Sequence, residues 1–331
     1  MKAILFDEPG DPDQLYLGDY PDPEPGPGEL LVQVHATALN RADLLQRQGK
    51  YPPPPGESPI LGLEMAGTVV GWAHDVSGFE IGDPVCGLLA GGGYAQQVVI
   101  PAALALRMPP NLSFTKAAAI PEVFLTAFQA LHWLSDTREG QSVLIHAGGS
   151  GVGTAAIQLA RQLGVSATFI TASAGKHELC RDLGADHTID YRTQSFVDEI
   201  DQLTKGQGVH TIIDFIGAPY FSDNLRALHT DGTLVILAFM GGAKAPELNL
   251  ATLLRKRLNI HASTLRARDL DYKRRLTADF RQRYWPRFAT GQLRPVIDSI
   301  YPWEDVAEAH RYLAGNHNTG KVVMTVGGPG S

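Results

Sequence analysis

The stretch that decides the fold is Val143-Leu144-Ile145-His146-Ala147-Gly148-Gly149-Ser150-Gly151-Val152-Gly153. A short apolar run enters a glycine-rich turn, and an apolar-periodic helix over residues 154–163 leaves it. This order of strand, turn and helix is the context in which a dinucleotide pyrophosphate lies on backbone N–H groups at a helix N-terminus. Serine stands at position 150, where the middle glycine of the pattern usually lies, so the flanking strand and helix carry much of the prediction.

The segment after the next strand indicates which dinucleotide binds. The strand predicted at 167–171 would be followed by an acidic residue if the chain bound the ribose 2′-hydroxyl of NAD. The chain instead continues Ala172-Ser173-Ala174-Gly175-Lys176, which offers a hydroxyl and a cation. These groups suit a 2′-phosphate, and the sequence therefore predicts NADP.

The composition is that of a globular protein large enough for two domains. The chain has 331 residues, of which 44% are hydrophobic and 19% charged. A formal charge of −7 argues against a general nucleic-acid or membrane surface. No stretch approaches the roughly 20 uninterrupted apolar residues of a membrane span, and the N-terminus lacks the apolar run of a signal peptide. Two cysteines, Cys86 and Cys180, cannot build a disulfide framework, so we expect a cytoplasmic protein.

Two patterns of secondary structure divide the chain. The first third shows short strands, including one over residues 91–100, separated by turns at intervals of about 8–12 residues, as in a compact barrel. From residue 119, strands alternate with helices, which predicts a doubly wound parallel sheet. The six predicted strands are 143–146, 167–171, 187–189, 211–215, 233–237 and 258–262. A helix over 271–285 and a strand over 321–325 follow, so we predict a catalytic domain of residues 1–118 and 262–331 interrupted by a nucleotide-binding domain of residues 119–261.

Several motifs outside the glycine-rich turn point to one family. They are the run from Asn40 to Tyr51 (NRADLLQRQGKY), Gly91-Gly92-Gly93, Ala118-Ala119-Ile120-Pro121-Glu122, Leu265-Arg266-Ala267-Arg268-Asp269 and Ile300-Tyr301-Pro302. With them the whole chain resembles the zinc-free quinone oxidoreductases of the medium-chain dehydrogenase/reductase superfamily, most closely the tumour-suppressor-inducible branch. The resemblance implies a Rossmann domain with a six-stranded parallel sheet inserted into a discontinuous GroES-like β-barrel domain, NADP as cofactor, and a homodimer.

The zinc ligands of related enzymes are replaced in this sequence. Zinc-dependent members of the superfamily have a cysteine near position 40 and a histidine in a Gly-His-Glu run. The corresponding residues here are Asn40 and, in Gly62-Leu63-Glu64, Leu63. Leucine cannot bind zinc, and two cysteines cannot form a four-cysteine structural site. We therefore predict no metal, so that the protein itself must stabilise the charge that develops when NADPH delivers a hydride.

The resemblance also assigns residues to a substrate cavity, which Asn40, Asp43, Leu45 and Tyr51 are expected to line. Tyr51, Asn40 and Asp43 form the predicted catalytic set, with the Tyr51 phenol as hydrogen-bond or proton donor. Structural alternatives remain open for each of the three. Tyr51 would then pack on the four prolines that follow it, Asn40 would cap the next helix, and Asp43 would stabilise the start of that helix.

The predicted cofactor residues fall into three groups by resemblance. Backbone N–H groups at positions 150–152 meet the pyrophosphate, residues 173, 176 and 191 surround the 2′-phosphate and adenine, and the others contact the adenosine ribose or the nicotinamide side. The full set is Thr126, Ser150, Gly151, Val152, Ser173, Lys176, Tyr191, Ile216, Gly217, Phe239, Met240, Gly241, Leu265 and Arg266.

Three functional hypotheses follow. The first is NADPH-dependent reduction of small quinones, with ortho-quinones favoured. The second is a 2-alkenal or enoyl-thioester reductase, for which Arg266, Arg268 and the basic residues 273–275 offer a groove for coenzyme A. The third is a nucleotide-binding structural or RNA-binding protein, as some crystallin-like relatives are, although the acidic net charge weakens binding to nucleic acid.

Overall fold

The computed structural model describes residues 1–245 and 250–327. The strands in these ranges are β1 (Lys2–Leu5), β2 (Tyr16–Asp19), β3 (Glu29–Ala38), β4 (Glu64–Trp72), β5 (Pro84–Leu88), β6 (Gln97–Pro101), β7 (Ala105–Arg107), β8 (Ser142–Ile145), β9 (Ala167–Ala172), β10 (His187–Asp190), β11 (Val209–Asp214), β12 (Leu228–Ile236), β13 (Asn259–Ala262), β14 (Ile297–Pro302) and β15 (Lys321–Thr325). The α-helices are α1 (Arg41–Arg47), α2 (Phe114–Ala118), α3 (Pro121–Phe128), α4 (Gly151–Leu163), α5 (His177–Leu183), α6 (Phe196–Thr204), α7 (Phe221–Ala227), α8 (Leu250–Lys256), α9 (Leu270–Arg283), α10 (Pro286–Ala289) and α11 (Val306–Ala314).

Two compact units make up the chain. Unit 1 comprises Met1–Leu125 and, as far as it is described, Leu265–Ser331, whereas unit 2 comprises Thr126–Thr264. The first boundary falls inside α3 and the second in the irregular segment after β13. Both lie slightly later in the chain than the sequence analysis placed them, because a continuous helix rather than a loop leads into unit 2.

Unit 2 contains the predicted parallel sheet. Its six strands are arranged in the order β10-β9-β8-β11-β12-β13, and every neighbouring pair is parallel. The central strands are apolar and buried, with Leu144, Ile145, Ile212 and Ile213 fully enclosed, as expected for strands covered on both faces. The predicted α/β fold is confirmed. The strand order reverses beside β8, which is where such sheets bind ligands at the carboxyl ends of their strands.

Helix α4 begins earlier than its apolar periodicity suggested. The Ser150 hydroxyl accepts the N–H of Gly153 at 3.0 Å and thereby caps the helix, which includes Gly151 and Val152 in its first turn. Gly164, with φ of 79°, ends the helix in the left-handed region. The serine that breaks the strict glycine pattern is therefore the residue that starts the helix.

Unit 1 is built on a second sheet, with strand order β14-β15-β3-β4-β5-β7 and with β6 also paired to β3. Strand β3 pairs with β4 along most of its length, with β6 at its first half and with β15 at its end. Two register shifts between β3 and β4 accompany this change of partners. Side chains from one face of these strands form the core of the unit, among them Leu30, Val32, Met65 and Met324.

The predicted strand over residues 91–100 is wrong in its first half, because the strand is Gln97–Pro101 and only an isolated bridge between Ala95 and Ala3 precedes it. Gly92 and Gly62 have φ of 94° and 100°, which a strand does not allow. A Cβ on Gly62 would lie 2.6 Å from the Cα of Gly93, so two loops touch here through their backbones. The helix predicted over 271–285 ends at Arg283, and a separate short helix begins at Pro286.

The helices of the described residues are short. The longest, α9, has 14 residues, and α4 has 13. Within residues 1–245 and 250–327, no helix combines the length and the apolar character needed to cross a membrane.

Candidate active site

The glycine-rich turn between β8 and α4 is shaped to approach a ligand through its backbone. Ala147 has a φ of 50°, in the left-handed region, and the Gly148 N–H bonds the carbonyl of Thr171 on β9 at 2.9 Å. A Cβ on Gly149 would lie 2.6 Å from the Cδ of Lys176, and one on Gly153 would lie 2.4 Å from the carbonyl oxygen of Ala147. At Gly153 the obstacle is backbone, so only glycine fits there, whereas at Gly149 it is the side chain of Lys176. The close backbone approach at Gly153 is typical of a dinucleotide cradle.

Lys176 lies across this turn, since its aliphatic stem covers Gly149. Ser173 and Tyr191 follow β9 and β10, which are parallel neighbours, so the two residues lie at the same edge of the sheet. The guanidinium of Arg192 lies 5.8 Å from the centre of the Tyr191 ring, and this ring is 48% exposed. Sequence reasoning did not single out Arg192, although this cation directly follows Tyr191 in the chain.

The loops after β11 and β12 are joined to each other. Met240 and Gly241 donate their N–H groups to the carbonyls of Phe215 and Ile216 at 3.0 and 2.8 Å. Gly217 pairs with Gly242 in an isolated bridge and has a φ of 83°. The structure thus brings the predicted residues Ile216, Gly217, Met240 and Gly241 together at the carboxyl edge of the sheet.

A buried polar network underlies these loops. His146, at the end of β8, contacts Asn224 Oδ1 through Nε2 at 2.7 Å and Thr171 Oγ1 through Nδ1 at 3.0 Å. Asn224 donates to Asp214, which also accepts the N–H of Ile216 at 2.7 Å. Burial lowers the pKa of His146 to about 4 and raises the pKa of Asp214 to about 6. The network fixes the strand ends that carry the ligand loops, and sequence reasoning did not identify it.

The remaining predicted cofactor residues differ in exposure. Thr126 on α3 is buried, whereas Phe239 and Met240 are exposed. Leu265 and Arg266 are both buried and belong to unit 1. Their predicted contacts with the nicotinamide side remain predictions.

A buried ion pair occupies the region of unit 1 where the zinc ligands were sought. The Lys321 ammonium lies 2.8 Å from Glu64 Oε1 and donates to Asn40 Oδ1 at 2.6 Å and to the carbonyl of Leu39 at 2.8 Å. Asn40 donates its amide to Glu64 Oε1 at 3.0 Å, and Glu64 Oε2 accepts the N–H of Glu122 at 2.9 Å. The polar atoms of this cluster therefore satisfy one another.

Asp43 has no exposed surface, and its contacts are structural. Its carboxylate accepts the N–H of Asn40 at 2.7 Å and that of Gly62 at 3.0 Å, and it receives a longer bond, 3.4 Å, from the hydroxyl of Tyr94. Burial raises the pKa of Asp43 to about 6 against the effect of these bonds. This arrangement supports the alternative in which Asp43 stabilises the start of α1, and makes it a positioning residue for Asn40.

Tyr51 is half-buried and lies against a cation. The guanidinium carbon of Arg266 is 5.3 Å from the centre of the Tyr51 ring, and Arg266 also bonds the carbonyl of Ala90 through Nε at 2.6 Å. Burial raises the pKa of the Tyr51 phenol, the charge of Arg266 opposes this rise, and Glu122 adds to it. The phenol is therefore protonated at neutral pH and able to donate. Leu45, on α1, is exposed.

Metal ligands and reactive thiols are not assembled in the described part of the chain. It contains no group of three or more His, Cys, Asp or Glu residues placed to hold a metal ion. Both cysteines, Cys86 and Cys180, are buried and unpaired with each other, and burial raises the pKa of both thiols. Neither thiol has the lowered pKa of a nucleophile.

Comparison with known proteins places this geometry in a family. Residues 26–110 match the alcohol dehydrogenase GroES-like domain, and residues 183–324 match the zinc-binding dehydrogenase domain. The synaptic vesicle membrane protein VAT-1 homolog of Rattus norvegicus is 34% identical over 99% of this chain and 84% of its own length. The chain belongs to the medium-chain dehydrogenase/reductase superfamily and is an NAD(P)-dependent oxidoreductase.

Solved structures agree on the fold and the cofactor. An NAD-dependent alcohol dehydrogenase superposes with a TM-score of 0.88, 34% identity and coverage of 99% and 100% of the two chains. Mycobacterial Rv1454c in complex with NADPH superposes with a TM-score of 0.86 and 30% identity, and the match covers 98% of this chain and 100% of that one. A quinone oxidoreductase of Pseudomonas syringae and the CurK enoyl reductase each superpose with a TM-score of 0.86, with 28% and 27% identity respectively. Each match covers 98% of this chain and 99% of the other. The predicted nicotinamide cofactor is confirmed.

Proposed function

We propose that this protein reduces small quinones with NADPH, favours ortho-quinones, and works without zinc. The observation that carries the proposal is the buried ion pair of Lys321 and Glu64, bonded to Asn40, which occupies the region of unit 1 where zinc ligands were sought. A quinone suits such a site because its reduced oxyanion is delocalised and needs little acid assistance. The likeness to a quinone oxidoreductase supports the same reaction.

The residues of the glycine-rich turn fit the cofactor. The N–H groups of Gly151 and Val152 would bind the pyrophosphate, since the first turn of α4 leaves such groups without intrahelical partners. The third predicted donor, the N–H of Ser150, bonds the carbonyl of Ala147 at 2.9 Å. The ammonium of Lys176 would bind the 2′-phosphate, with Tyr191 against the adenine. When bound, NADPH supplies a hydride to the acceptor.

The residues of unit 1 would then control the charge of the acceptor. The Tyr51 hydroxyl would donate a hydrogen bond to a quinone oxygen and transfer its proton as that oxygen becomes an oxyanion. Arg266 would hold the phenol and add a positive field. Asn40 and Asp43 would hold the surrounding structure in place and would not react with the acceptor, because their polar atoms are bonded to Lys321, Glu64 and the backbone.

Zinc independence is supported by the position of Lys321. Its ammonium already neutralises Glu64 and donates to Asn40, so a Zn²⁺ ion there would add two further positive charges to an enclosed site. We expect dialysis against EDTA and then 1,10-phenanthroline to leave the quinone reductase rate unchanged, with sub-stoichiometric zinc by elemental analysis. Loss of the rate on chelation and its return with Zn²⁺ would contradict the proposal.

The first test measures the oxidation of NADPH and NADH side by side against 9,10-phenanthrenequinone, a simple para-quinone and an enal. We expect NADPH with the ortho-quinone to give the highest kcat/KM. Turnover of ortho-quinones no faster than the background reaction without protein would overturn the proposal.

A second candidate is the reduction of a 2-alkenal or an enoyl thioester. It is favoured by the likeness to the CurK enoyl reductase and by the buried cations Arg266 and Lys273 of unit 1. This reaction needs a proton at the α-carbon after hydride transfer, which Tyr51 would supply. Faster turnover of the enal than of either quinone would select this candidate.

A further inference from the structure

Two cations are enclosed in unit 1, and the guanidinium of one of them, Arg266, lies against the ring of Tyr51. Arg266 is 6% exposed and Lys273, on α9, is 7% exposed. Lysine and arginine are rarely buried to this extent unless a counter-charge accompanies them. The two residues therefore raise the question of what neutralises them.

The contacts of Arg266 leave part of its guanidinium unused. Nε donates to the carbonyl of Ala90 at 2.6 Å, and Nη1 makes a long contact of 3.5 Å with the carbonyl of Tyr51. Nη2 is buried and has no hydrogen-bond partner among the described residues. Both partners are neutral, so the hydrogen bonds of Arg266 orient its charge without balancing it.

Lys273 also lacks a carboxylate at ion-pair distance among the described residues. In residues 1–245 and 250–327 no ion pair includes Lys273 or Arg266. Burial lowers the pKa of Lys273, the exposed carboxylate of Glu57 opposes this effect, and the charge of Arg266 adds to it. Because two like charges are enclosed in the same unit, both would gain from a shared anion.

The nearby carboxylates do not fill this role. Asp43 is bonded to the N–H groups of Asn40 and Gly62. Asp269 is exposed and accepts the N–H of Tyr272 at 2.7 Å at the start of α9, and Glu57 is exposed. Among the described residues, Asp269 and Glu57 form no ion pair with either cation. A planar guanidinium with a spare N–H and a neighbouring ammonium is a donor set that matches the oxygens of a carboxylate, sulfonate or phosphate.

We propose that Arg266 and Lys273 form a subsite for an anionic group on the electron acceptor, so that this protein prefers acidic acceptors to neutral ones. The proposal rests on the proposed function in taking Tyr51 as the contact of the acceptor. Because the guanidinium of Arg266 lies against the half-buried Tyr51 ring, an acceptor that reaches the phenol comes close to this cation.

The test compares two acceptors with the same ring system, 1,2-naphthoquinone and 1,2-naphthoquinone-4-sulfonate. The measured quantity is the ratio of kcat/KM for the sulfonate to kcat/KM for the neutral quinone, which cancels effects common to both acceptors. We expect Arg266→Gln and Lys273→Gln each to lower this ratio by about tenfold, which is about 1.4 kcal/mol. Arg281→Gln is the matched control, because it removes an exposed charge from the same helix as Lys273 and should leave the ratio unchanged.

Two further measurements distinguish loss of the anion subsite from misfolding of a variant. Arg266→Lys keeps the charge and should retain most of the discrimination. In the unsubstituted protein, the ratio should fall as the salt concentration rises, because salt screens the attraction of the anion to the site. A ratio that neither substitution nor salt changes would overturn the proposal.

Binding separates this proposal from the proposed function. If neither quinone is reduced, the proposed function fails. Binding of 2-naphthalenesulfonate, followed by quenching of tryptophan fluorescence, then still tests the subsite. Weaker binding to Arg266→Gln than to Arg281→Gln would support the subsite. Two results would overturn the subsite proposal, because they would show that the two cations bind a phosphate of NADPH or of coenzyme A. One is weaker NADPH binding in both glutamine variants with an unchanged acceptor ratio. The other is competition by coenzyme A that both variants weaken, again with an unchanged ratio.

Discussion

Quinone reduction and enal reduction differ in how much they depend on the phenol of Tyr51. Without the phenol, a delocalised quinone oxyanion still forms, so we expect Tyr51→Phe to lower kcat for 9,10-phenanthrenequinone by less than about tenfold. An enal needs a proton donor, and its kcat should fall by about 10²- to 10⁴-fold. The two values of kcat, measured on the same preparation, check this prediction.

Tyr312→Phe is the control for Tyr51. Its hydroxyl bonds Asp298 at 2.8 Å, so the substitution also removes one tyrosine hydroxyl from unit 1. Because burial raises the pKa of Tyr51, neither reaction should show a titration of this phenol below its usual pKa of about 10. Equal losses with both acceptors would mean that Tyr51 positions the acceptor and does not supply the proton.

Lys176 is predicted to decide between the two nicotinamide cofactors. Replacement by methionine keeps the stem that covers Gly149 and removes only the charge. We expect KM for NADPH to rise by about 10- to 100-fold, since a hydrogen bond to a charged group contributes about 1.5–3 kcal/mol, with KM for NADH unchanged. The control is Lys205→Met, at the C-terminal end of α6 in the same unit. A parallel rise in both KM values would refute the assignment of the 2′-phosphate.

At the residue scale, the sequence was most informative where chemistry and chain position coincide. Lys176 directly follows a strand, and Ser150 lies in the glycine-rich turn, so both were predictable from local pattern. Lys321 and Glu64 were not, because they are far apart in the sequence and join only through the fold. The buried cations Arg266 and Lys273 were visible as a basic cluster, but their burial was not.

At the element scale, the ends of β8, β9 and β11 are joined by the His146 network, which should make unit 2 sensitive to acid. The pKa of His146 is about 4 in the folded protein, against about 6.5 for a free histidine. Between these values the unfolded chain binds more protons than the folded one, so stability falls as the pH falls. Asp214, whose pKa is raised to about 6, has the opposite effect in part of the same range.

His146→Gln isolates the contribution of the histidine, because Asp214 remains in the variant. Between pH 7 and pH 5, the free energy of unfolding of the unsubstituted protein should fall by about 2 kcal/mol more than that of the variant. Urea unfolding at the two pH values measures this difference. His74→Gln, at an exposed position in unit 1, is the control and should follow the unsubstituted protein. A fall of the same size in His146→Gln would show that His146 does not set the acid sensitivity.

The elements that the sequence predicted well are those with one strong local signal. All six strands of the parallel sheet were found. The central strands are continuous apolar runs because they are buried on both faces, whereas the exposed edge strand β13 was predicted from its place in the alternation of strands and helices. The segment before β6 was mistaken for strand because its glycines were taken as hinges, whereas Gly62 and Gly93 meet through their backbones. Close approach of distant glycines leaves no trace in a local pattern.

At the scale of the whole molecule, the order of elements carried most of the information. Strands of one type on both sides of a βα series indicate that one unit interrupts another, and the described chain has this topology. Our prediction of the oligomeric state rests on a different feature, the last strand of the parallel sheet. Strand β13 pairs with β12 on one side, and all four of its residues are exposed.

We predict that β13 pairs with its counterpart in a second copy, so that the protein is a dimer. An uncovered strand at the end of a sheet offers free backbone groups to another chain, and a two-fold axis lets the same strand serve both copies. Ile260, 39% exposed on β13, is the apolar side chain at this edge. Light scattering after size-exclusion chromatography should give twice the 35.7 kDa of one chain.

The substitution that tests this edge is Ile260→Lys, which places a charge on each of two strands that would lie side by side. The variant should elute as a monomer at concentrations where the unsubstituted protein is dimeric. Ile300→Lys is the matched control, because Ile300 is 52% exposed on β14, the terminal strand of the other sheet. If Ile300→Lys dissociates the dimer and Ile260→Lys does not, the interface lies on unit 1. If the unsubstituted protein is itself a monomer, the exposed edge of β13 has some other cover or none, and the resemblance has predicted an assembly that this chain does not form.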